Sequence, residues 1–113
     1  MDNHDDITLW KWLDGEDFST RKINKVLRAS QALEADNERI TVQLIRKRKL
    51  PINIKNYIKE ANAYIMFHDV ILRRRSFDGN YNMPEIMNRM NSKKVLDYKD
   101  LKIAPKWFHN VFD

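Results

Sequence analysis

An all-α fold is predicted by three features of this 113-residue sequence. Only two glycines are present, whereas tight β-hairpins draw on glycine-containing turns. The Asp-Gly pairs, Asp14-Gly15 and Asp78-Gly79, stand between segments whose apolar residues recur at helical rather than alternating spacing. Residues suited to capping, Ser19 or Thr20 and then Asp36 or Asn37, precede such segments. The expected architecture is a compact bundle of four to six helices with a long central helix at about 52–75.

Ile7, Leu9, Trp10, Trp12 and Leu13 make a short apolar helix at 7–13, ended by Asp14-Gly15. A second helix runs to about 35, with Ile23, Val26, Leu27, Ser30 and Leu33 near one face. Asp36-Asn37 breaks the pattern, and a third helix follows at about 38–49 on a stripe of Ile40, Leu44 and Ile45. Pro51 stops it, because proline lacks an N–H and disfavours helical geometry at Leu50. The fourth segment is apolar almost all round between 63 and 72, the pattern of a buried helix. A turn at Asp78-Gly79-Asn80, short helices at 84–91 and 93–101, and a tail with Trp107, Phe108, Val111 and Phe112 complete the chain. So many apolar rings predict that the tail docks, on the body or on a partner.

Charge divides the sequence in two. Residues 1–17, an acidic leader containing the short apolar helix, hold six acids and one base, Lys11. Residues 18–113, a basic helical domain with the aromatic tail, hold 20 bases and 10 acids. A body this basic attracts nucleic acid, an anionic surface or an acidic peptide, the plain alternative being a solvated basic surface. No stretch is apolar enough to span a membrane, and the acidic start has no secretory pattern, so nucleus or cytoplasm is the expected location. With no Cys, three scattered His and no glycine-rich phosphate loop, the residues imply no catalytic site, metal or cofactor. His68-Asp69 reads as a boundary pair rather than an acid–base device.

Two basic clusters remain as binding candidates. Arg46, Lys47, Arg48 and Lys49 close the third helix, with Lys55 beyond Pro51. Arg73, Arg74 and Arg75 close the fourth, and Arg21, Lys22, Lys25 and Arg28 line the second. Cations in a last helical turn also suit the helix dipole, so part of each cluster has a structural reason to exist. As a nucleic-acid site these bases give salt-sensitive affinity with little sequence information. Phe77, Trp107 and Phe108 are candidates for base stacking. The stretch from Leu13 to Ile23 also has a weak helix-turn-helix pattern.

Ile40-Thr41-Val42-Gln43-Leu44-Ile45-Arg46-Lys47-Arg48-Lys49-Leu50, followed by Ile54 and Tyr57-Ile58-Lys59, resembles the N-terminal helical domain of the elongation factor TFIIS. The integrase-binding domain of LEDGF and the central domain of Iws-type factors are similar in architecture, and the likeness spans about residues 18–77. Arg48 stands where that family prefers Thr, Pro51 where it prefers Gly, and Phe77 where a Trp closes the last helix. The resemblance implies a non-enzymatic docking module in transcription or chromatin regulation, binding acidic segments with an aromatic or Leu anchor. Arg46, Lys47, Lys49 and Lys55 would meet the acids, and Leu50 and Ile52 the anchor. Equally, Leu50 and Ile52 read as residues closing the core beside Pro51. The alternatives are a small nucleic-acid-binding regulator of viral or mobile-element type and a minor subunit of a larger complex.

Overall fold

The computed structural model describes residues 3–76, 82–96 and 104–112, with backbone only for 3–6. Five α-helices lie among them: α1 (Asn3–Leu13), α2 (Thr20–Arg48), α3 (Ile54–Arg74), α4 (Met83–Arg89) and α5 (Lys106–Val111). The turn expected at Asp78-Gly79-Asn80, and Phe77 beside it, lie outside the described residues. Residues 93–96 are not helical. The rest of the helix expected at 93–101 is outside the described residues.

The frame is an antiparallel hairpin of α2 and α3. Three cross-contacts set its register: Arg28 with Asp69, Gln31 with the Ile65 carbonyl, and Ser30 with His68. Helix α3 is the expected buried helix: Ile58, Ala61, Asn62, Ala63, Ile65, Met66, Asp69, Val70 and Ile71 are all buried. Its Asn53 cap accepts the Asn56 N–H at 3.1 Å.

Helix α2 corrects one expectation. It runs 29 residues without a break at Asp36-Asn37. Ser19 caps it, accepting the Lys22 N–H at 3.1 Å. Asp and Asn each cost a helix interior only about 0.7 kcal/mol against Ala. Arg39 pairs with Asp36 at 2.5 Å, and the Thr41 hydroxyl donates to the Asn37 carbonyl at 3.0 Å. The decisive term is packing, since Ala35, Val42 and Ile45 are buried in phase with Ile23, Val26 and Leu27. That phase rotates Leu33, Ile40 and Leu44 outward, at 40%, 55% and 41% exposed. The buried stripe is therefore not the one expected from Ile40 and Leu44.

The core has two parts. At one end Leu9 and Trp12 of α1 pack on Ile23, Val26, Leu27 and Ile71. The larger part joins Ala35, Val42, Ile58, Ile65, Met66 and Val70 to Ile86, Val95 and the tail residues Phe108 and Phe112. The tail thus docks on its own chain, with the Phe67–Phe112 and Phe108–Phe112 ring centroids each 5.3 Å apart. Buried polar groups fasten the outer segments. Asn62 donates to the carbonyls of Asn91 (3.0 Å) and Lys94 (3.1 Å), and accepts the Leu96 N–H (2.8 Å). Asp69 accepts the Ala104 N–H at 2.8 Å and pairs with Arg28 at 2.5 Å.

Candidate functional site

The tip of the hairpin gathers one of the two basic clusters. Helix α2 ends there in a Schellman turn, in which Lys49 N–H donates to Arg46 O (3.3 Å) and Leu50 N–H to Ile45 O (3.1 Å). Such a turn needs a left-handed residue, and Lys49 supplies it at φ 52° where glycine is usual. A side chain in that conformation costs about 1–2 kcal/mol. Lys49→Gly is therefore expected to raise the unfolding free energy by roughly 1 kcal/mol in urea denaturation; unchanged or lower stability would remove the claim of strain.

Arg46, Lys47, Arg48, Lys49 and Lys55 are exposed. No side-chain hydrogen bond or ion pair engages them among the described residues. Residues 39–59 contain seven bases and no acid. The C-terminus of α2 and the N-terminus of α3 meet at this tip, so their opposed dipoles largely cancel. The positive field there belongs to the side chains. Among them Leu50 and Ile52 are 42% and 45% exposed, flanking Pro51, and neither belongs to either part of the core. The reading in which they close the core does not hold: the Schellman turn and Pro51 carry the chain outside the bundle before Asn53 restarts the helix. Farther down the hairpin, burial and a hydrogen bond with Glu38 push the Tyr57 hydroxyl above its ordinary value, so it stays neutral at physiological pH.

The second cluster lies at the opposite end, because antiparallel packing brings residues 21–28 beside residues 69–75. Arg21, Lys22 and Lys25 are exposed, with Lys22 Nζ 5.5 Å from the Phe18 ring. Arg73 is exposed as well. Arg28, Arg74 and Arg75 serve the fold. Arg28 is held by Asp69 and donates to Gln31 at 2.8 Å. Arg74 donates to the Phe112 carbonyl. Arg75 donates to the carbonyls of Trp12 (2.7 Å) and Glu16 (2.8 Å) and lies 5.1 Å over the Trp12 ring. Its left-handed backbone, also at φ 52°, is offset by these contacts. Of the rings weighed for base stacking, Phe108 is fully buried and Trp107 packs edge-on against it at 5.7 Å.

His68 bridges helices. Its Nδ1 is 3.1 Å from the carbonyls of Tyr64 and Ile65, which assigns the proton to that nitrogen. Nε2 then accepts from the Ser30 hydroxyl at 3.1 Å. Sequence reading missed this pair, which is 38 residues apart in the chain. Among the described residues no three His, Cys, Asp or Glu side chains are grouped to hold a metal. No helix among them is long and apolar enough to cross a membrane. No protein family, curated protein or solved structure matches the chain.

Proposed function

We propose that the chain is a docking module that acts by binding rather than catalysis, and that the hairpin tip captures an acidic partner segment with an apolar anchor. The observation that carries this reading is the exposure of Leu50 and Ile52 in a stretch with five exposed bases that no side-chain hydrogen bond or ion pair engages among the described residues. A basic rim speeds encounter and sets orientation, while a desolvated anchor supplies most of the affinity. The strained Lys49 fits the same picture, since strain left without compensating contacts gathers at functional positions. The TFIIS-like pattern would place the partner among transcription or chromatin factors. Nucleic acid is the competing anion, but Arg28, Arg74 and Arg75, among the bases assigned to it, are engaged within the fold.

The test is fluorescence anisotropy with a labelled acidic peptide carrying one Leu or Phe. Lys47→Glu with Lys49→Glu is expected to weaken binding by at least about a hundredfold, because like charges across an interface cost several kcal/mol. Helicity by circular dichroism stays unchanged, since both side chains are exposed. Equal binding by the double variant overturns the reading, as does a random DNA duplex outcompeting the peptide at low salt.

A further inference from the structure

The occupant described above has a match within the chain itself. Residues 1–17 carry six acids against one base. Helix α1, which lies in that segment, turns Leu9 and Trp12 into the core yet leaves Ile7 51% and Trp10 58% exposed. Positions three apart share a helix face, so Ile7 and Trp10 form one outward apolar strip. Asp14, Glu16 and Asp17, exposed in the loop after α1, continue the acidic character. A tryptophan beside carboxylates has the chemistry that a basic, leucine-lined tip selects, and Trp is enriched among interface anchors.

This match cannot be satisfied within one molecule. Helix α1 packs on Ile23, Val26 and Leu27, near the start of α2. Lys47 lies 21 residues beyond Val26, which is about 32 Å along a helix. Resting on the docking reading, we infer that the tip is filled by α1 of a second copy, giving head-to-tail association. Two different patches, one at each end of the molecule, meet in such a contact, so two antiparallel copies exchange both contacts and close, or successive copies continue as an open chain. Arg21, Lys22 and Lys25, at the same end as α1, oppose the charge attraction. The apolar anchors therefore supply the free energy, and the carboxylates supply the orientation.

Sedimentation of the full chain at low salt tests this with two variants. One is Lys47→Glu with Lys49→Glu, which spoils the tip; the other is Ile7→Ser with Trp10→Ser, which spoils α1. Wild type is expected to associate as concentration rises, as a reciprocal pair or as a growing chain. Each variant alone stays monomeric, and their equimolar mixture stops at a one-to-one pair, because one good tip meets one good α1. A monomeric wild type, association of either variant alone, or a mixture that stays monomeric each overturns the assignment. The acidic peptide separates the two levels. Peptide binding by a wild type that remains monomeric removes the second copy and leaves the docking reading standing; absence of peptide binding removes the docking reading itself.

Discussion

Phe108→Ala is expected to destabilise the protein by about 3–5 kcal/mol, the range for deleting a fully buried aromatic ring. That is a large share of the 5–15 kcal/mol available to a small domain. Phe108 is 0% exposed and contacts both Trp107 and Phe112 through its ring. A half-open pocket of about 100 Å³, lined partly by Ala63, Phe67, Ile86 and Phe108, already lies against it. The cost rises with the volume of the cavity that remains after the neighbours relax. Urea denaturation followed by tryptophan fluorescence reads the loss. A change below about 1 kcal/mol would mean that the tail is not a structural part of the bundle.

Asp69→Ala is expected to cost about 3–5 kcal/mol, the range for breaking a buried ion pair from one side. The substitution takes the carboxylate from the Arg28 guanidinium, whose side chain is only 22% exposed and keeps its bond to Gln31, and leaves the Ala104 N–H without its acceptor. Asp69→Asn separates the two contributions, since an amide oxygen still accepts from Ala104 while the charge is gone. It should recover part of the stability, and amide exchange at Ala104 should stay slower in Asp69→Asn than in Asp69→Ala. Equal exchange in the two variants would sink the argument that this carboxylate fastens the C-terminal segment.

The two substitutions act on one design from different sides. Helix α5 has six residues, too few to be stable alone. Phe108 and Phe112 supply its apolar attachment, while Asp69 and Arg74 hold its two ends by hydrogen bonds to backbone. An aromatic tail in the sequence therefore predicts docking, but the groove it enters is built by distant residues: Phe67 lies 45 positions before Phe112, and Asp69 35 before Ala104. The arginines follow the same logic. Arg73, Arg74 and Arg75 read as a single cluster, yet Arg75 finds its carbonyls at Trp12 and Glu16 through a contact 63 and 59 residues distant. Local sequence carries no record of such partners.

At the tip, the run of bases and the stop at Pro51 are legible in the sequence, because charge and backbone restriction are properties of single residues. Whether Leu50 and Ile52 face inward or outward is not, since either outcome has the same local spacing. The left-handed Lys49 and the direction in which α3 leaves decide it.

Composition and helical spacing alone determined that the chain is all-α, that its fourth apolar segment is the buried one, and where its positive charge lies. Tertiary structure alone decided that α2 runs unbroken through Asp36-Asn37, which of its faces is buried, and which cations remain available. The reason is the relative size of the terms. A helix-breaking preference is worth less than about 1 kcal/mol per residue, whereas burying a side chain is worth about 1.5–3 kcal/mol. Packing across the hairpin therefore overrules local preference wherever the two conflict.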